Sequence, residues 1–305
     1  MSDGLERALK KFADGVHALG EPSAALDADL PPGVIEVYRG MDGAELFHGD
    51  LVLRPRSAWH REGHRLEVGE IGEDGLWVDL CDGAVWRLEA GTGEWIEEGS
   101  SLERWLWGWV EGQALLYDKE GEFRDRAIGG DGELVREVAI GRERALLKRD
   151  PKAVGPRWRL ARELARAGES AAARDQLEEV VEARPRFAWA WYDLARISEK
   201  LGELAGARDE ALAAAEANPE YEHAAFFLGW AARLAVLAGD EEARAALATR
   251  ALAAAPDLAR RQLEGARDNV EAGDLAAARD MIEVARALAP TDVAVLDLAR
   301  RIAGG

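Results

Sequence analysis

Cysteine is all but missing: Cys81 stands alone in 305 residues. That excludes a disulfide framework and a sulfur-ligated metal cluster. Its place in the run Leu76-Trp77-Val78-Asp79-Leu80-Cys81 predicts a buried, inert thiol. Histidine is scarce too, and only His60 and His64 lie close together. On a helix that spacing would put both imidazoles on one face, but Trp59–Arg65 falls between predicted strands, with no nearby Cys or Asp. Solvated loop histidines are the reading. No Ser/His/Asp or Cys/His set has a catalytic context. Gly69, Gly72 and Gly75 lack the dinucleotide pattern, and Asp118-Lys119-Glu120-Gly121 lacks the spacing of a calcium loop. No metal, cofactor or catalytic residue is expected. No apolar run approaches membrane-spanning length, and Met1-Ser2-Asp3-Gly4 does not open as a signal peptide does, so a cytoplasmic protein is expected.

Positive charge is also in short supply, with 39 Lys and Arg against 58 Asp and Glu. Of the net −19, residues 1–117 carry −13, residues 118–150 carry −1 and residues 151–305 carry −5. Such a balance argues against nucleic acid or an anionic membrane as ligand. Two readings remain open: the acidity attracts a basic partner, or it only keeps the protein in solution.

What is present begins with two short helices. Leu5, Leu9, Phe12, Val16 and Leu19 have helical spacing, closed by Gly20 and Pro22, and Pro31-Pro32 starts a second helix over Val34–Arg39. Runs of Val, Leu, Ile and Trp then alternate with glycine turns: 46–53, 66–71, 76–80, 84–88 and 94–97, with Asp82-Gly83 as a hairpin signal. Ser100-Ser101 can cap a helix from Leu102 to about Tyr117. Helices, a meandering antiparallel sheet and a closing helix make residues 1–117 an α+β domain. Residues 118–133, punctuated by Gly121, Gly129, Gly130 and Gly132, read as a linker.

The second half is governed by a spacing. Pro151, Pro185, Pro219, Pro256 and Pro290 fall 34, 34, 37 and 34 residues apart, and Gly168, Gly202, Gly239 and Gly273 precede the last four by 17. A period of 34 marks stacked helical hairpins, with glycine in the turn and proline where the second helix stops. Residues 134–305 are therefore expected to form an all-α solenoid. Its parts would be a cap helix over 134–150, repeats over 154–187, 188–221, 222–258 and 259–291, and a cap helix over 292–302. The third repeat is three residues longer before its glycine, which predicts a longer first helix. Arg244 replaces the small residue held elsewhere by Ala173, Ala207 and Ala278, which predicts local distortion.

These repeats resemble tetratricopeptide repeats, through Trp191, Leu194 and Ala195 in a first helix, the alanines just named, and Pro185, Pro219 and Pro290. The likeness covers about half the chain. The N-terminal half resembles the SUKH superfamily of cell-wall-synthesis regulators and bacterial immunity proteins. It does so in Leu30-Pro31-Pro32-Gly33-Val34-Ile35-Glu36-Val37-Tyr38, Gly40-Met41-Asp42-Gly43-Ala44, Ile71-Gly72-Glu73-Asp74-Gly75-Leu76-Trp77-Val78-Asp79-Leu80, Gly83-Ala84-Val85-Trp86 and Ser101-Leu102-Glu103-Arg104-Trp105-Leu106. That resemblance implies a protein-binding module without catalytic residues.

Two candidate sites follow. Trp105 and Trp109 share a helix face with Leu102 and Leu106 and should pack under the sheet, whereas Trp107 points elsewhere, toward the linker or first repeat or toward a partner. In tetratricopeptide arrays the first helices line a groove. Helical spacing on that face selects Trp158, Arg162 and Arg166, then Trp189, Tyr192, Arg196 and Lys200, then Phe226, Trp230 and Arg233, then Arg260, Leu263 and Arg267. Rings and guanidinium forks suit a segment with apolar side chains and carboxylates. The competing role for these residues is packing between repeats and pairing with Asp193, Glu199 or Glu264. The lysine–asparagine clamp of some tetratricopeptide proteins is not reproduced. The expectation is thus a non-catalytic interaction protein. Its N-terminal module would bind and neutralise a basic toxin or effector, as the SUKH resemblance implies, while the array holds an acidic peptide segment. A cytoplasmic scaffold with no toxin is the alternative, and an enzyme with a site in the sheet stands third.

Overall fold

The apolar runs between the early glycines pair edge to edge. In this computed structural model, which describes residues 1–23, 26–91, 93–130 and 132–304, they form one antiparallel sheet. Asp131 of the expected linker and Gly305 at the end of the expected array lie outside the described residues. The chain divides into two units, Met1–Ala167 and Gly168–Gly305.

The first unit begins with α1 (Asp3–Leu9), β1 (His17–Leu19) and α2 (Pro32–Tyr38). The strands β2 (Ala44–Leu46), β3 (Leu51–Leu53), β4 (His60–Glu62), β5 (Arg65–Ile71), β6 (Asp74–Asp79), β7 (Val85–Leu88) and β8 (Trp95–Gly99) follow. Their order is β1-β2-β3-β5-β6-β7-β8, with β4 added beside β5. The helix expected over Leu5–Leu19 stops at Leu9. Gly15 turns the chain at φ 93°, and His17–Leu19 pairs with β2, where extended backbone uses the same apolar residues. The run 46–53 is likewise split, by a tight turn at Phe47–Gly49.

The helix α3 (Leu102–Gln113) fills the centre of this unit, with Leu102, Trp105 and Leu106 at most 1% exposed. Each contributes on the order of 1.5–3 kcal/mol by burial. Ser101 makes no side-chain cap to α3. Its neighbour Ser100 instead donates from its amide (2.5 Å) and hydroxyl (2.7 Å) to the fully buried Asp150 carboxylate. Two further helices, α4 (Arg136–Arg149) and α5 (Val154–Arg166), pack within this unit, α4 on α3 and α5 on β8. Gly108 permits that contact: a Cβ there would stand 2.7 Å from the Leu146 Cα of α4. The contact boundary therefore falls after Ala167, where the sequence placed it in 118–133. The described residues of that stretch make a connection packed on the first unit: Ala127 is fully buried, Tyr117 pairs with Phe123, and the Ala13 amide donates to the Lys119 carbonyl at 2.6 Å.

The second unit is helical: α6 (Ser170–Ala183), α7 (Ala188–Lys200), α8 (Leu204–Ala217), α9 (Ala224–Leu237), α10 (Glu241–Ala254), α11 (Leu258–Ala272), α12 (Leu275–Leu288) and α13 (Val293–Gly304). Gly168, Gly202, Gly239 and Gly273 all adopt φ between 73° and 84°, the left-handed conformation that lets a helix end in a tight turn. Ala173, Ala207 and Ala278 are fully buried, as the period required.

The third hairpin departs in a way the sequence did not show. Two of its three extra residues lie in the connection 218–223 and only one in α9, which is one residue longer than α7. Helix α9 packs against α8, α10 and α12. Thus the second helix of the last hairpin, with only Leu258 of its first, rests on α9, beside Gly229. Arg244, at the place of the small residue, donates to the Ala287 carbonyl at the end of α12 (2.8 Å).

Candidate functional site

The residues expected to line a groove meet different fates. In the first unit, on α5, the Arg162 guanidinium lies 4.9 Å from the Trp158 ring, and Arg166 pairs with Glu163. In the second unit, α7 and α9 bring several together. Trp189 is half-buried; its Nε1 donates to the Tyr221 hydroxyl (2.8 Å), and its ring meets Phe227 edge-on at 5.2 Å. Tyr192 is buried, which pushes its hydroxyl well above the usual tyrosine range, and Phe226 sits 5.4 Å from it, half-exposed. Arg196 lies 5.9 Å over the Tyr192 ring, and Lys200 is one turn further on. Both are exposed, and neither makes an ion pair among the described residues.

Trp230 and Arg233 do not belong to that surface. They are 3% and 7% exposed, because α12 covers this face of α9. The Arg233 guanidinium stacks 4.5 Å from Trp230, takes both oxygens of Glu199 on α7 (2.8 and 2.9 Å) and donates to Glu283 on α12 (2.9 Å). It ties three helices together. On α11, Leu263 packs into a core with Ala266, Ile282 and Leu298. Arg260 is held by Glu264 (2.8 Å) and Asp257 (3.4 Å), while Arg267 is exposed. Because α12 covers α9 and α11 reaches it only through Leu258 at its start, Arg260 and Arg267 do not extend the α7–α9 face. Tyr221 and His223 do join it, and were missed; the aromatics in the longer connection 218–223 were their signal, while Phe227 packs fully buried beneath them.

Trp107 is also engaged. It packs on α1, where a Cβ at Gly4 would collide with its ring. Its Nε1 donates to Glu111 (3.2 Å), and Arg149 lies 3.7 Å over the ring. Cys81, expected inside, is exposed, since β6 ends at Asp79 and the thiol falls in the turn before Gly83. His60 and His64 occupy the β4–β5 hairpin, with His64 Nε2 3.2 Å from Asp79. Among the described residues no group of three His, Cys, Asp or Glu is placed to hold a metal. No helix among them is long and apolar enough to cross a membrane.

One charged cluster had no sequence signal, because its members come from β7, β8, α4 and α5. Glu98, 3% exposed, takes two bonds from Arg159 (2.7 and 2.8 Å) and one from Arg87 (3.0 Å). Burial works to raise its carboxyl, but the two guanidiniums prevail and hold it below the usual range. Glu143, reached by Arg159 at 3.1 Å, is pushed up because burial outweighs that one partner. These groups, with Arg142, Trp105 and Trp109, line a cavity of about 210 Å³. The intact pairs add little net stability, but removing one partner would leave a buried charge uncompensated.

No family model matches this chain, and no curated protein matches it. Among solved structures it is similar to MamA (18% identity, 56% of this chain and 92% of that one, TM-score 0.39). It is also similar to TTC0263, a thermophilic TPR protein in Thermus thermophilus (23% identity, 55% and 89%, TM-score 0.35). A third is YrrB, described as a TPR protein with an unusual peptide-binding site (19% identity, 54% and 84%, TM-score 0.34).

Proposed function

We propose that this protein is a non-catalytic adaptor that holds a segment of a partner protein on the α7–α9 face of its helical unit. One observation carries the reading: Arg196 and Lys200, without carboxylate partners of their own among the described residues, follow the half-exposed Trp189 along α7, and Arg196 lies over the Tyr192 ring that Phe226 meets from α9. A segment with an apolar side chain next to Asp or Glu would cover the rings and complete the cations. The tetratricopeptide-like period of the helices supports the same role. The SUKH-like pattern of the first unit adds a second protein-binding module to the proposal. No feature of its fold selects a toxin as the partner, so the reading is the scaffold. Its setting is taken to be the cytoplasm, where a single exposed thiol stays reduced.

The test is selection of a random 12-residue peptide library on the full-length protein. Enriched sequences should pair an aromatic or aliphatic residue with an acidic one. Their affinity should fall at least tenfold in Arg196→Glu/Lys200→Glu with the circular dichroism spectrum unchanged. Peptides that bind the double variant equally well would remove the α7–α9 face as the site.

A further inference from the structure

A second groove lies wholly within the first unit, between the chain following α1, the end of α3 and the outer side of α4. It encloses about 420 Å³. Its floor is apolar, made by Phe12, Val110, Ala114 and Ala145, and Leu115 stands over Gly141 at 39% exposure. Its rim is basic. Arg144 and Lys148, one turn apart on α4, face Lys11 across the opening, and all three are exposed. Neither Arg144 nor Lys148 has an ion-pair or hydrogen-bond partner among the described residues. The acidic residue of the lining, Glu111, is already taken by Arg149 and Trp107.

This local sign opposes that of the chain around it, since residues 1–117 carry −13. Cations spread for solubility would be interleaved with carboxylates. Three cations around an apolar floor, with the nearby carboxylate neutralised, match a ligand that is apolar on one side and acidic on its edges. We propose that the α1–α3–α4 groove docks an amphipathic acidic segment of a partner protein, with its apolar side chains against Leu115, Phe12 and Ala114 and its carboxylates on Lys11, Arg144 and Lys148. Two or three large side chains fill such a volume, so the segment is a short helix or turn. The inference is independent of the α7–α9 face.

The test uses the full-length protein and the same 12-residue library, counter-selected on Arg144→Glu/Lys148→Glu. Enriched peptides should carry Leu, Ile or Phe at helical spacing flanked by Asp or Glu. Their affinity should fall at least tenfold in the counter-selection variant and in Leu115→Asp, and should be retained in Arg144→Lys/Lys148→Arg. It should be unchanged in Arg196→Glu/Lys200→Glu, which separates this groove from the other face. Both charge variants change exposed residues, and thermal melts confirm the fold. Absence of any enriched acidic amphipathic sequence overturns the proposal, as does binding indifferent to both groove variants. A fluorescent fatty acid that binds and is lost in Arg144→Glu/Lys148→Glu, with no peptide enriched, would reassign the groove to an anionic lipid.

Discussion

His17 is predicted to make the first unit sensitive to acid well before its carboxylates titrate. The ring lies edge-on to Phe12 (5.3 Å) and Phe47 (4.7 Å), its Nδ1 accepts the Phe47 amide at 3.3 Å, and its Nε2 is buried without a partner. Burial first, and the nearby His48 second, push its pKa down from 6.5 to about 4. Above pH 6.5 the folded and unfolded chains both hold it neutral. As pH falls from 6.5 the unfolded chain takes up a proton that the folded chain refuses, so stability declines until about pH 4. A shift of that size sets a ceiling of roughly 3 kcal/mol; for a partly exposed ring the effect should be about 1 kcal/mol. Acidification also relieves repulsion in a chain of net charge −19, so the quantity to read is a difference. In His17→Asn the amide oxygen can still accept from Phe47 but does not titrate. Urea unfolding from pH 7.5 to 4.5 should show wild type losing about 1 kcal/mol relative to the variant. Parallel stability curves, or a His17 pKa above 6 by NMR titration, would refute the argument.

Replacing Arg233 with Met should destabilise the helical unit by about 2–3 kcal/mol, measured by urea unfolding. Glu199 and Glu283 lose their partner but are partly exposed and can rehydrate. A change below ~0.5 kcal/mol would mean that the three-helix tie is decorative. Glu98→Gln should cost stability at pH 7 and lose its effect as pH falls through the depressed folded-state pKa, because protonation then removes the same charge in wild type. A penalty that persists undiminished into strong acid would disprove the charge pairing. A fragment of residues 168–305 should be strongly helical by circular dichroism, whereas one starting at residue 134 should self-associate, because α4 would lose its cover on α3. The reverse outcome would move the boundary back into 118–133.

The helical period was legible because its punctuation is conformational. A left-handed glycine and a helix-stopping proline are fixed by backbone sterics, and they recur wherever the chain must turn. The sheet was legible for a similar reason, through Asp82-Gly83 and the alternating runs on either side. Side-chain fate was much less so. Arg196 and Arg233 occupy comparable places in successive hairpins, yet one is exposed and the other buried, because α12 settles on α9. Nothing in local spacing records which helix of a later hairpin will make that contact. Leu19 fits helical spacing but lies in β1, and Val16 is buried just before that strand, so α1 was drawn too long. The cluster around Glu98 unites β7, β8, α4 and α5, and such long-range pairing of charges leaves no period to read.

The settling of α12 on α9 fixes how long a guest the helical unit can hold. In an unbroken stack a bound chain can run past hairpin after hairpin, and affinity accumulates with length. Here Val284 and Leu288 of α12 pack beside Gly229 on α9, where a next hairpin's first helix would otherwise stack. The remaining track is α7 with the near edge of α9, about 20 Å along the helix axis at the usual rise. A footprint that short suits a motif of a few residues read by one or two anchors, with rapid release. If the α7–α9 face holds a partner segment as proposed, the fold-back favours brief tags that can be exchanged over long segments.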